Sequence, residues 1–203
     1  MTDFLETHDL RPHTETMSKE GSLTNQLLVA MPGLEDPHFS RTVTLICEHG
    51  TRGALGIVLN KPLSMRLAEV LEQMKLAPQD PGVGEQIVLR GGPVHQDRGF
   101  VLHRPGGSWE STHRISDQIQ VTTSRDVLAA MARGEGPDDA FIALGYAQWE
   151  EGQLERELRD NSWLTLPVSD AVLFDLPYED RWLAAWRSLG VDVNQVTPRA
   201  GHA

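Results

Sequence analysis

The chain has 203 residues, 39% apolar and 23% charged, with a formal net charge of −11, a composition that folds a core rather than a disordered chain. Its negative field repels a phosphate backbone, so nonspecific nucleic-acid binding is excluded and adsorption to an anionic membrane is disfavoured; the 18 Lys and Arg residues are scattered, with loose pairs such as Arg156 and Arg159. No apolar run nears the roughly 20 residues of a membrane span, the first 26 residues do not read as a signal peptide, and the single cysteine, Cys47, suits a reducing compartment, so a cytoplasmic location is expected.

In chain order, residues 1–22 set Asp3, Glu6, Asp9, Glu15 and Glu20 against Arg11 and Lys19 without helical or strand periodicity, which predicts a flexible acidic tail ahead of one domain over 23–203. Leu27–Met31, Thr42–Glu48 and Ala54–Asn60 are short, rich in Val, Ile and Leu, and bounded by Pro and Gly; they predict three strands. Ser64 reads as an N-cap for a helix from Met65 to Lys75, with Leu67, Val70, Leu71 and Met74 on one face. Gln86–Arg90 and Gly99–His103 predict strands around the Gly91-Gly92-Pro93 turn, and Gln118–Thr122 another. Thr123 and Asp126 resemble a capping box opening a helix that ends near Gly134. Phe141–Ala147 predicts a strand, Gln153–Arg159 a polar helix, and Trp163–Pro167 and Ala171–Phe174 two final strands. The last helix begins at Asp175/Pro177, stacks Trp182, Leu183, Trp186 and Leu189 on one face, and stops at Gly190. These elements predict a mixed α/β single domain with a curved or barrel-like sheet.

Ala30-Met31-Pro32 with Asp36-Pro37, Cys47-Glu48-His49, Gly53–Asn60, Arg90-Gly91-Gly92-Pro93-Val94, Arg98–His103, Thr122–Asp126, Ala143–Ala147, Asn161–Leu164, Leu173-Phe174-Asp175 and the terminal Ala200-Gly201-His202-Ala203 stand in an order that resembles the YqgE/AlgH family. The resemblance runs from about Leu23 to Ala203. It implies a flattened β-barrel with helices at its ends, in a bacterial family without an established enzymatic activity, one branch of which is linked to transcriptional control of exopolysaccharide production. Gln148-Trp149-Glu150-Glu151 departs from a Gly-rich stretch of the family pattern, and Gln118 stands where the family more often has Gly.

Phosphate-loop, dinucleotide-binding, nucleophile-elbow and zinc-protease patterns are absent from the sequence. Cys47 and His49 lie two apart in a predicted strand and are expected on one face, as an activated thiol pair or as a packed cysteine beside a rim histidine. The spacing of His49, His95 and His103 matches no metal-ligand pattern, so no metal and no cofactor are expected. Arg90-Gly91-Gly92 at a strand end, Thr123-Ser124-Arg125 at a helix start, and Asn60-Lys61 offer backbone donors and cations to an anion; they are expected to converge on one pocket, or else to act only as helix caps and surface ion pairs. The resulting expectation is a regulatory or adaptor protein that binds a protein partner or small anionic ligand, as a monomer or weak homodimer. The alternative is an enzyme on a phosphorylated or nucleotide-like substrate, with Arg90 and Arg125 facing one cleft.

Overall fold

The computed structural model describes residues 21–191 and 193, so the expected tail, beyond Gly21 and Ser22, and the terminal Ala200–Ala203 lie outside the described residues. The strands are β1 (Gln26–Ala30), β2 (Val43–Gly50), β3 (Gly53–Val58), β4 (Pro62–Arg66), β5 (Ile87–Arg90), β6 (Val94–His103), β7 (Thr112–Arg114), β8 (Gln120–Thr122), β9 (Phe141–Trp149) and β10 (Trp163–Pro167). The helices are α1 (Leu67–Gln73), α2 (Pro81–Gly84), α3 (Arg125–Ala132), α4 (Gln153–Arg159) and α5 (Arg181–Ser188). The main sheet runs β10-β1-β2-β3-β9-β6-β8-β7, with β5 beside β9 and β4 beside β5. The chain is a mixed α/β domain whose sheet curls into a half-barrel, with β10 and β7 at its two ends.

Strand β9 is the hub, because one of its edges serves two partners. Phe141–Tyr146 pair with β6 on one side; on the other, Ile142–Leu144 run parallel to β5, and Ala147–Trp149 run antiparallel to β3. The change of partner falls at Gly145, whose φ of 73° is open to glycine at low cost. There the chain leaving β5 is pressed against β9 at van der Waals distance. A Cβ on Gly91 would stand 2.2 Å from the Gly145 carbonyl oxygen, and one on Gly92 2.1 Å from the Tyr146 backbone.

The continuous apolar runs of β1 and β2 are explained by burial on both faces. Leu27, Val29, Val43, Leu45 and Ile57 join Phe100, Leu102, Trp182 and Trp186 in one cluster on the face that α5 covers. Leu28, Ala30 and Ile46 pack with Trp149, Leu154 and Trp163 under α4, while Val88, Val101 and Ile142 meet α1 and α3 in a third cluster. Under α4, Glu157 Oε2 accepts from the indole N–H of both Trp149 (2.9 Å) and Trp163 (2.8 Å), satisfying two buried donors with one carboxylate oxygen.

Four expectations are corrected. Ser64 is not a helix cap: Pro62–Arg66 form β4 against β5, and Arg66 caps α1, its N–H donating to Glu69 Oε1 at 2.9 Å. Strand pairing overrides helix propensity there, and Leu63 and Met65 alternate as strand residues do. Ala171–Phe174 is not a strand but part of a π-helical turn, Ala171–Asp175, that buries Val172 and Leu173; a four-residue apolar run does not reveal its own period. The N-cap of α3 is Ser124 rather than Thr123, and Asp126 turns outward to accept from the Ser124 hydroxyl and the Glu110 N–H. On α5 the buried face is Arg181, Trp182, Ala185 and Trp186, whereas Leu183 and Leu189 are 39% and 38% exposed. The tight turn before Ile119 does form, with Ile115 and Ser116 both donating to the Ile119 carbonyl and Gln118 in the turn.

Because Gly92 leaves no room for a methyl group, the Gly92→Ala variant is expected to lose more than about 3 kcal/mol, in the range of severe overpacking. Urea denaturation followed by tryptophan fluorescence measures it; a loss below about 1 kcal/mol would show that β5 and β9 tolerate separation.

Candidate anion-binding site

The segment leaving β3, Leu59-Asn60-Lys61, is the floor of the site. Asn60 is buried and bonds the protein through both ends of its carboxamide: Oδ1 accepts from the Val43 N–H and Nδ2 donates to the Arg41 carbonyl, each at 2.9 Å. Lys61 Nζ donates to the Ser40 carbonyl at 2.8 Å. Both contacts hold down the turn entering β2, which Asp36 initiates by accepting from the His38 and Phe39 N–H groups. That turn carries Arg41 in a left-handed conformation, φ 55°, a costly backbone for a long side chain. The Arg41 guanidinium lies 5.6 Å from the Trp182 ring of α5. Arg90 is brought alongside by its own N–H donating to the Lys61 carbonyl at 2.7 Å.

A fourth cation lies behind this floor. Arg181, 2% exposed, donates to the carbonyls of Leu59 (2.8 Å) and Leu176 (3.1 Å) and lies over the Tyr178 and Phe141 rings. Burial pulls its guanidinium down to about 10, with Tyr178 opposing. The Lys61 ammonium is also lowered, first by burial and then by the positive charges of Arg41 and Arg90. Among the described residues, none of these four cations forms an ion pair with a carboxylate. Arg41, Asn60 and Lys61 line a cavity of about 240 Å³ together with Glu179, Trp182 and Leu183.

Two of the three expected segments therefore meet, Asn60-Lys61 and Arg90-Gly91-Gly92; the third does not join them. Thr122 pairs with Val101 of β6, so β9 and β6 stand between β8 and β5, a separation of three strand spacings or about 14 Å. Several polar groups of that third segment are committed locally. The Thr123 N–H donates to Ser111, the Ser124 hydroxyl to Asp126, and Arg125 Nη2 to the Met74 carbonyl at 2.6 Å, closing the end of α1. The Gly91 N–H is likewise used by Leu144. The glycines bring backbone onto backbone; of the four cations, Arg41 and Lys61 line the cavity.

Sequence reasoning missed Arg41, Glu179, Arg181, Trp182 and Leu183 as site residues. Arg181 left a trace: it stands one helical turn before Ala185 on the apolar face of α5, where an unpaired charge is out of place.

The other candidates are resolved by their surroundings. Cys47 and His49 do not share a face, because Cys47 is the extra residue of a bulge between the Ile46–Gly56 and Glu48–Leu55 pairs, and a bulge reverses alternation. Cys47 packs with Val43 and Leu45, and burial, with a smaller push from Glu48, drives its thiol well above the usual range. His49 accepts from the Leu23 N–H through Nδ1 (3.0 Å) and donates through Nε2 to Glu155 of α4 (2.8 Å). Burial pushes the Glu155 carboxyl up, but a backbone hydrogen bond and the His49 contact outweigh it and leave it lowered. His103 is buried between the Arg104 carbonyl and the Thr122 hydroxyl, and His95 stacks on Tyr146. Among the described residues no three His, Cys, Asp or Glu side chains gather as a metal site, and no helix is long and apolar enough to cross a membrane.

A family model described as AlgH-like matches residues 27–194. The chain belongs to the AlgH-like family. It is 54% identical to a UPF0301 protein of Thioalkalivibrio sulfidiphilus across 92% of this chain and 100% of the relative, and 50% identical to one from Saccharophagus degradans across 90% and 89%. The solution structure of AlgH from Pseudomonas aeruginosa, 49% identical, superposes with a TM-score of 0.74 over 93% of this chain and 100% of that one. A crystal structure from Corynebacterium diphtheriae, 20% identical, shares the fold at a TM-score of 0.67, covering 90% and 94%. The AlgH-like assignment agrees with the half-barrel and names no ligand, so the chemistry of the cleft rests on its own residues.

Two measurements check these environments. Cys47 is expected to react with a thiol reagent near neutral pH far more slowly than a model peptide, and at the peptide's rate once urea unfolds the chain; equal rates in the folded state would place the thiol at the surface. For His103, burial lowers the imidazole below its ordinary 6.5, the hydrogen bond to the Arg104 carbonyl opposing. Its folded form therefore binds the proton less readily than the unfolded chain does, so its contribution is complete above about pH 6.5 and lost as pH falls below it. The urea midpoint is expected to be flat from pH 8 to 7 and to fall below 6.5, and His103→Gln is expected to flatten that fall.

Proposed function

We propose that this protein is a non-enzymatic regulatory or adaptor protein, acting in the cytoplasm, that holds a small anionic ligand, or an acidic group of a protein partner, at Arg41, Lys61 and Arg90, and that any effect on transcription is indirect. One observation carries the reading: four positive charges gather at the end of β3 with no carboxylate paired to any of them among the described residues, in a chain of net charge −11. Like charges drawn together and partly desolvated raise the energy of the empty site. An anion lowers it, and its binding free energy is enlarged accordingly. The left-handed Arg41 points the same way, since backbone strain persists where surrounding contacts over-determine it and concentrates at functional sites.

The alternative, an enzyme on a phosphorylated or nucleotide-like substrate, needs Arg90 and Arg125 in one cleft. Arg125 is engaged with the Met74 carbonyl, which removes the arrangement that reading depends on. Sequence-specific DNA binding is opposed by the charge of the whole chain.

Titration with inorganic phosphate, followed by amide NMR, is expected to shift Arg41, Lys61, Arg90 and Gly91 and to leave Ser124 and Arg125 in place. Lys61→Ala and Arg41→Ala should each weaken binding about tenfold, the equivalent of one charge-assisted hydrogen bond, with Arg125→Ala unchanged. Equal weakening by all three would reduce the effect to general surface charge.

A further inference from the structure

The cleft holds one feature that an anion does not use. Glu179 lines it together with Arg41, Lys61, Trp182 and Leu183, yet among the described residues it forms no ion pair with either cation. Exposed opposite charges that share a small concavity ordinarily close on one another. Here each cation is held off by a contact of its own: Arg41 lies against the Trp182 ring at 5.6 Å, and Lys61 is tied to the Ser40 carbonyl at 2.8 Å. Glu179 sits in the short turn ahead of α5, Tyr178–Asp180, with its carboxylate exposed. The cleft therefore presents a positive and a negative pole that the protein's own side chains do not bridge. The same lining carries Leu183, 39% exposed and one of two large apolar side chains open to solvent among the described residues. The cavity, about 240 Å³, lies below the roughly 300–1,000 Å³ of sites for drug-sized ligands.

From this geometry we infer that the ligand is a free α-amino acid with an apolar side chain, its carboxylate toward Arg41 and Lys61, its ammonium toward Glu179 and its side chain on Leu183 and Trp182. The inference rests on the anion-binding reading and narrows it. A zwitterion satisfies both poles at once and brings no net charge into the cleft. Phosphate or a nucleotide satisfies only the cations and sets a second negative charge against Glu179, where like charges repel. Arg181 contributes from beneath: its guanidinium, bonded to the Leu59 carbonyl, fixes the positive pole at the floor without reaching the ligand. Glu179 also sets a like charge against polyanions beside these cations, and electrostatic specificity needs a repulsive element as well as an attractive one.

Calorimetric titration of the full chain with four probes tests this: L-leucine, isocaproate (the same skeleton without the amine), isoamylamine (without the carboxylate) and inorganic phosphate. L-leucine is expected to bind at least about tenfold more tightly than isocaproate or isoamylamine, since each half-molecule leaves one charged partner unmade. Glu179→Gln is expected to bring L-leucine down to the level of isocaproate while isocaproate itself binds as well as before or better. Leu183→Ser should weaken L-leucine and isocaproate together. Both substituted side chains are exposed, so the fold is not at stake. L-leucine binding no tighter than isocaproate, or Glu179→Gln leaving L-leucine unaffected, would overturn the amino-acid assignment. If phosphate or isocaproate binding is then still lost in Lys61→Ala, the anion reading stands alone; no heat with any of the four probes overturns both.

Discussion

Everything in this fold is arranged around backbone meeting backbone at Gly91, Gly92, Gly145 and Tyr146. A strand edge normally serves one neighbour, because its N–H and C=O groups are consumed by the ladder it joins. Strand β9 serves β5 along its first half and β3 along its second, which requires the chain leaving β5 to pass over β9 with no side chain between them. The same passage delivers Arg90 to the Lys61 carbonyl. The spacing that lets the sheet curl is also what draws a cation from β5 to the end of β3.

Electrostatics at that end runs against the character of the molecule. A buried guanidinium without a carboxylate costs several kcal/mol of lost hydration unless other dipoles replace water. For Arg181 the replacements are two carbonyl oxygens and two aromatic faces. They satisfy the geometry of the group without neutralising its charge, so its field reaches the cleft where Lys61, Arg41 and Glu179 stand. Helix α5 thus does two things at once: Trp182 and Trp186 complete the apolar cluster on its face of the sheet, and Arg181 sets the sign of the surface above.

Legibility followed the reach of each interaction. Strands β1, β2, β3, β5 and β9 were readable because their apolar runs are buried on both faces, and helices α3 and α4 because their patterns are local; of α5 only the Trp182–Trp186 repeat and the Gly190 stop were, since the helix begins at Arg181 rather than at Asp175/Pro177. Ser64 and Ala171–Phe174 misled because the deciding partner is remote: β5 for the first, and for the second the apolar cluster that takes Val172 and Leu173. The bulge at Cys47 is of the same kind, since one extra residue separates the thiol from His49 and only pairing with β3 reveals it. Of the candidate site, Asn60, Lys61 and Arg90 were visible as polar residues at strand ends. Arg41, Glu179, Arg181, Trp182 and Leu183 come from segments more than a hundred residues apart, which no local pattern joins.

What the sequence determined by itself was composition-level and local: an acidic chain with a mixed α/β core, the order of most strands and helices, and a set of motifs sufficient to place it among AlgH-like proteins. Tertiary structure alone decided which charges share a surface. Coulombic and hydrogen-bond energies depend on distances between groups, and those distances were set by β9 accepting two partners on one edge and by α5 docking onto the inner face of the sheet. Thr123, Ser124 and Arg125 were as plausible as Lys61 when read along the chain; two intervening strands removed them from the cleft.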